Sequence, residues 1–164
     1  MKTEQALRKS IRKWLIFFIV LLVLSGITAF PIETELSLLV GITENGPANL
    51  HEWVKYVYAA IKETNKNYPF MAYGTDWLAF AHIVIAVAFI GPLKDPVRNI
   101  WIIQFGMIAC MMVIPLALIC GSIRNIPFFW QLIDCSFGVF GLIPLYLCYR
   151  NILKLEQLTH IKKK

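Results

Sequence analysis

Two ionisable residues, His82 and Asp134, stand inside otherwise apolar runs, and they are where this sequence could do chemistry. A carboxylate close to an imidazole stabilises the protonated ring and selects its tautomer, the arrangement used for general acid/base catalysis. In hydrocarbon such groups are costly and turn toward a protein interior or a wet cavity, so each is a candidate for function. His82 lies five residues past Trp77 and Asp134 seven past Pro127, about 8 and about 10 Å along their helices. If both helices enter from the same side, the two side chains reach similar depth. They then form either an acid/base pair lining a pocket or a hydrogen bond joining two helices. Ala79 and Ala86, three and four residues from His82, share its helical face and predict a closely packed stripe there.

Other polar residues gather near the ends of these runs. Asp76 is six residues before His82, about 120° round the helix. It is a candidate ligand-binding residue, and with Thr75 it also fits a helix N-cap. Glu33 and Glu35 follow the first run closely and join Arg124 and His51-Glu52 in a candidate polar cluster, or else remain solvated interface charges. Trp130 belongs with Trp14, Trp77, Trp101 and Tyr149, rings near run ends that anchor at a membrane interface. Its second reading is the wall of a lipid-facing pocket.

Four apolar runs must position these residues, at 14–30, 77–93, 100–121 and 128–149. A spanning helix needs roughly 20 mainly apolar residues. No water satisfies a backbone amide inside a bilayer, so such runs must be helices. The chain is 58% hydrophobic and 16% charged, with mean hydropathy +0.63, whereas a soluble domain carries about 25% charged residues. The expected fold is an all-α membrane protein: a single integral domain over 1–164, a four-transmembrane-helix bundle with an additional amphipathic helix in the long outer loop, 31–75. The first run is read as a span and not a cleaved signal, because Ile27 stands where a cleavage site wants a small residue.

The net charge of +6 is explained by its location, without nucleic acid. Lys2, Arg8, Lys9, Arg12 and Lys13 precede the first run, and Lys94 and Arg98 lie between the second and third. Arg150, Lys154, Lys162, Lys163 and Lys164 follow the fourth. The 31–75 segment is instead acidic on balance, with five glutamates against three lysines. Basic residues accumulate on the cytoplasmic side, so both termini are expected there, with the acidic loop and Arg124 outside. The basic ends then lie near anionic lipid head groups.

Within the outer loop, 32–42 mixes acids with Leu36, Leu38, Leu39 and Val40 and reads as a short interfacial helix. Asn45-Gly46-Pro47 reads as a turn. Over 49–66, Leu50, Trp53, Val54, Val57, Tyr58 and Ile61 recur at helical spacing, with Asn49 and Glu52 as a candidate capping box. Pro115 predicts a bend in the third span. Gly138 and Gly141 permit close helix approach, although they miss the GxxxG spacing.

Cys110, Cys120, Cys135 and Cys148 lack a CxxC pair and read as apolar packing, with Cys120 and Cys135 close enough in depth for a disulfide. His51, His82 and His160 are too scattered for a metal or haem site. No phosphate loop, HExxH or nucleophile elbow is present, and no cofactor is expected. In span count, long first outer loop and one or two polar residues within spans, the layout is similar to DoxX-like and EXPERA-domain proteins, a likeness of layout that carries no residue across. Two function classes follow. The first is a non-enzymatic binding, scaffold or accessory subunit, whose partners are membrane lipids, an apolar small molecule, another protein or a second copy. The second is a membrane-embedded enzyme using His82 and Asp134 on a lipophilic substrate.

Overall fold

In the computed structural model the described residues are 3–161, with side chains through Thr159. Lys2, the His160 side chain and Lys162, Lys163 and Lys164, parts of the predicted basic ends and histidine set, lie outside the described residues. The described residues form helices joined by short turns, without strands. Helices α1 (Glu4–Ala29), α2 (Ile32–Thr43) and α3 (Ala48–Asn67) come first, and a single 3-10 turn (Pro69–Met71) leads into α4 (Ala72–Ala88). A short α5 (Ile90–Lys94) precedes the long helices α6 (Ile100–Ile123) and α7 (Phe128–Ile161).

Four stretches are long and apolar enough to cross a membrane: Glu4–Ala29, Pro69–Lys94, Ile100–Ile123 and Phe128–Thr159. Their large side chains are turned outward. Phe17 is 48% exposed, Met112 63% and Phe137 69%, a density of apolar surface that water does not tolerate on a soluble monomer. Each stretch covers one of the predicted runs, the first to within one residue, since α1 ends at Ala29. The largest difference is at the last, where α7 continues 12 residues beyond Tyr149.

Two caps differ from expectation. Thr75 and Asp76 do not start α4. Pro69 opens the preceding 3-10 turn, its missing N–H costing nothing at a first-turn position, so Thr75 lies inside the helix and its hydroxyl donates to the Ala72 carbonyl at 2.8 Å. Asn49 and Glu52 do not form a capping box either. The chain leaves Pro47 already aligned for α3, which begins at Ala48, and the Asn49 side chain accepts from the Leu50 amide at 3.0 Å.

The chain divides into two compact units, one formed by residues up to Val20 with those from Val87 onward, the other by Leu21–Ala86. In the first unit, α6 and α7 form an antiparallel hairpin. Gly138 lets the backbones meet: a Cβ there would strike the Cys110 carbonyl oxygen and lie 3.3 Å from Val113. Gly141 does the same against the Cys110 sulfur, at 2.9 Å. The first part of α1 runs antiparallel to α7. Cys148 Sγ donates to the Ile11 carbonyl at 3.5 Å, and Asn151 Nδ2 donates to Ser10 Oγ at 3.1 Å. Around them lies the best-buried core. Leu7, Ile11 and Leu15 from α1 meet burial of Leu145, Cys148, Ile152 and Leu155 along α7, each 2% exposed or less. The three-and-four spacing of the α7 set is a helix stripe that runs straight past Tyr149, which is why α7 does not stop where the apolar run stops.

In the second unit, α2 and α3 form a hairpin. Leu36 and Val54 are buried on their facing sides. Asn65 Nδ2 donates to Glu33 Oε2 at 2.8 Å, and Thr43 Oγ1 lies 3.2 Å from His51 Nδ1. The end of α1 packs on α4 through Gly26. A Cβ there would come within 2.8 Å of the Ala79 carbonyl, so only a residue without a side chain fits.

Candidate functional site

Asp134 lies on α7, seven residues into the helix, and opens on a cavity of about 260 Å³ between α6 and α7 in the first unit. Val113, Leu116, Ala117 and Ile126 supply apolar walls, and Cys120 and Arg124 also face it. The guanidinium and the carboxylate share the cavity without forming an ion pair within 4 Å. A drug-sized ligand is usually enclosed in about 300–1,000 Å³. A smaller, open cleft therefore suits one polar group and the adjoining stretch of a lipophilic molecule.

The hairpin turn that places Arg124 is built by backbone chemistry. Asn125 adopts the left-handed conformation, with φ 57°, which asparagine tolerates better than most side chains. The Asn125 amide donates to the Ser122 carbonyl at 3.2 Å and the Ile126 amide to the Gly121 carbonyl at 2.9 Å. This pair of bonds is a Schellman closure, satisfying carbonyls that the end of α6 would otherwise leave open. Gln131, only 4% exposed, locks it: its Nε2 donates to the Ile126 carbonyl at 2.7 Å, and its side chain lies directly against Gly121. Sequence reasoning missed Gln131. The available signal was a lone amide one turn into an apolar helix, directly after a turn. Gln131→Leu leaves the Ile126 carbonyl without its side-chain donor, and the expected cost is about 1–3 kcal/mol. Denaturant titration in detergent measures it, and an unchanged midpoint would refute the clasp.

His82 belongs to the second unit and is half-buried on α4. Its Nδ1 lies 2.8 Å from the Leu78 carbonyl oxygen. A carbonyl only accepts, so Nδ1 carries the proton and, in the neutral ring, Nε2 carries the lone pair. The flanking residues are packed as the spacing predicts, with Ala79 0% and Ala86 2% exposed. The His82 Cβ lies 3.2 Å from where a Gly26 Cβ would stand, so this face of α4 meets the end of α1. The imidazole is thereby held by its own helix and by a close helix contact.

The remaining candidates fall in three places. Asp76 borders a recess of about 290 Å³ in the second unit, walled by Phe30, Tyr73, Trp77 and Phe80. Tyr73 and Trp77 stand edge to face, 6.0 Å apart. Glu33 and His51 are engaged between α2 and α3, each in one of the hairpin's cross-links. Trp130 is half-buried in the first turn of α7, and the cavity walls around Asp134 do not include it. Cys110, Cys120, Cys135 and Cys148 are free thiols. Among the described residues, no group of three or more His, Cys, Asp or Glu side chains is placed to hold a metal ion.

Fold and site together define a class: a small, all-helical chain with four helices able to cross a membrane and a polar cleft in its last hairpin. No protein-family model, curated protein or solved structure matches this chain.

Proposed function

We propose that this chain is a four-span membrane bundle with both termini in the cytoplasm, acting without catalysis as a binding or accessory protein. Its polar site is the α6–α7 cleft, and its ligand is a lipophilic molecule bearing a basic group. The observation that carries this reading is Asp134: a carboxylate well inside an apolar helix, opening on an apolar-walled cleft, with no cationic side chain of the described residues within 4 Å. An ionisable residue at such a position asks for a partner, and a ligand ammonium is the partner the cleft admits. Arg124 at the turn then favours an anionic or carbonyl group at the mouth of the cleft.

The cytoplasmic ends rest on charge. Eight described basic residues lie before Trp14, at Lys94 and Arg98, and after Tyr149, which the positive-inside tendency assigns to that side. Reporter fusions at the two termini test this, and opposite sides would refute it.

Binding is tested with a long-chain primary amine as probe. Cys120 is exposed and borders the cleft, so its alkylation reports occupancy. The amine is expected to slow alkylation of the peptide carrying Cys120 in the native protein. Asp134→Asn keeps the shape and removes the charge. A hydrogen bond to a charged group is worth about 1.5–3 kcal/mol, so the variant should need roughly tenfold or more additional amine for the same protection. Equal protection in both proteins would overturn the assignment. Accumulation of one lipid precursor in cells lacking the gene would instead favour the enzyme class.

A further inference from the structure

The α2–α3 hairpin has two exposed faces of opposite character. On α2, Leu38 is 64% exposed, Leu39 38% and Ile42 74%. Thr34, Ser37 and Gly41 complete that arc with small residues. Glu35 lies on the same arc, between Ile42 and Leu39 in angle but in the first turn, where the helix dipole favours a carboxylate. On α3 the exposed arc carries Glu52, Lys55, Lys62, Glu63 and Lys66. Each helix turns its other side to its partner, where the Glu33–Asn65 and Thr43–His51 contacts hold the pair. The exposed face of α2 is therefore apolar past its first turn, and that of α3 is charged in both signs, with Tyr56 at its edge.

We infer that this hairpin lies on the bilayer, with the Leu38–Ile42 face of α2 sunk into the headgroup–acyl boundary and the charged face of α3 in water. The inference rests on the four-span reading. Its first support is tethering. Only Phe30 and Pro31 separate α1 from α2, so α2 begins no more than about 11 Å from the end of a span. At the other end α3 passes through Tyr68 and the 3-10 turn directly into α4. Its second support is the ring set at that junction. Tyr68 is 57% exposed, Tyr73 62% and Trp77 56%, and such exposed amphipathic rings mark headgroup level. An element rooted at both ends in that plane, with one apolar face, finds lipid as its nearest apolar neighbour. An in-plane helix buries its apolar face by roughly 5–10 Å, and Leu38 and Ile42 are the exposed side chains that would enter it. The mixed charges on α3 bring no preference for anionic lipid.

Nitroxide depth measurement in phosphatidylcholine vesicles tests this on the full chain. The background carries Cys110→Ala, Cys120→Ser and Cys135→Ala and keeps Cys148, which is buried. Labels are introduced by Leu38→Cys, Ile42→Cys, Lys55→Cys and Glu63→Cys, with Val20→Cys and Met112→Cys, exposed on α1 and α6 and outside the Asp134 cleft, as span controls. If a residue of α2 fails to tolerate the change, Gly41→Cys replaces it, since a side chain there meets nothing within 4 Å. Labels at 38 and 42 should favour oxygen over a water-soluble nickel reagent, as those at 20 and 112 do, and labels at 55 and 63 should reverse that ratio by about tenfold. Nickel access at 38 and 42 with lipid-like controls would overturn the inference and leave the spans standing. Exclusion of both reagents at 38 and 42 would mean a protein covers the face, and would also overturn it. Nickel access at 20 and 112 would remove the four-span reading itself.

Discussion

Gly138→Leu is expected to open the α6–α7 hairpin and to lower stability by about 3 kcal/mol, the upper end for overpacking. A Cβ at this position would meet the backbone oxygen of Cys110, and Val113 stands 3.3 Å away on the same helix. A flexible side chain can swing aside, but a carbonyl fixed in a helix cannot. The two helices must separate, and with them go the Cys110–Gly141 contact and the walls of the Asp134 cleft. Gly74→Leu is the control, because a side chain there meets nothing within 4 Å, and surface changes of that kind usually stay within about 0.5 kcal/mol. Unfolding in mixed detergent compares the two. Equal stabilities would mean that α6 and α7 do not approach at Gly138.

Phe89→Ala is expected to be comparably damaging, at about 3–5 kcal/mol. Phe89 is 0% exposed, its ring centroid lies 4.9 Å from that of Phe18, and it fills the space that Gly106 leaves on α6. It stands at the break between α4 and α5 and joins three helices of the first unit in one core. Removing the ring leaves a hole bordered by α1 and α6 that helices fixed at several contacts cannot collapse to fill. Thermal unfolding monitored by near-ultraviolet dichroism gives the size of the loss. Phe89→Leu should recover a large part of it, since most of the volume returns. A loss below about 1 kcal/mol for the alanine variant would place the ring against lipid and not in a core.

Much of the architecture was readable before any coordinates. The four runs, the turn at Asn45-Gly46-Pro47, the helix ending before Pro69 and the packed Ala79–Ala86 stripe all reappear. Each depends on residues near one another in the chain, through hydropathy, the fixed φ of proline or the 3.6-residue period. The packing of α7 beyond Tyr149 escaped notice because charges at Arg150, Lys154 and Glu156 end the apolar run. A helix needs only a stripe, however, and Ile152 and Leu155 continue it against α1. Gly138 and Gly141 permit the close approach that their size implies, and both close on Cys110 without the GxxxG spacing, because the partner surface decides which small residues count. Gln131 was invisible for a related reason: an amide is worth singling out only once a carbonyl such as that of Ile126 is known to face it.

Hydrophobicity sums residue by residue, so the order of residues alone settled how many helices can cross a membrane and roughly where each begins. Charge sums in the same way, which put the basic residues at both ends and the acids in the long loop. Neighbour relations do not sum. Tertiary packing decided that Asp134 and Arg124 share a cleft while His82 bonds to Leu78 beside Gly26, and that Glu33 and His51 cross-link a hairpin. A side chain's chemistry is set by what lies within a few ångströms of it, and those distances arise only when segments far apart in the chain come to rest together.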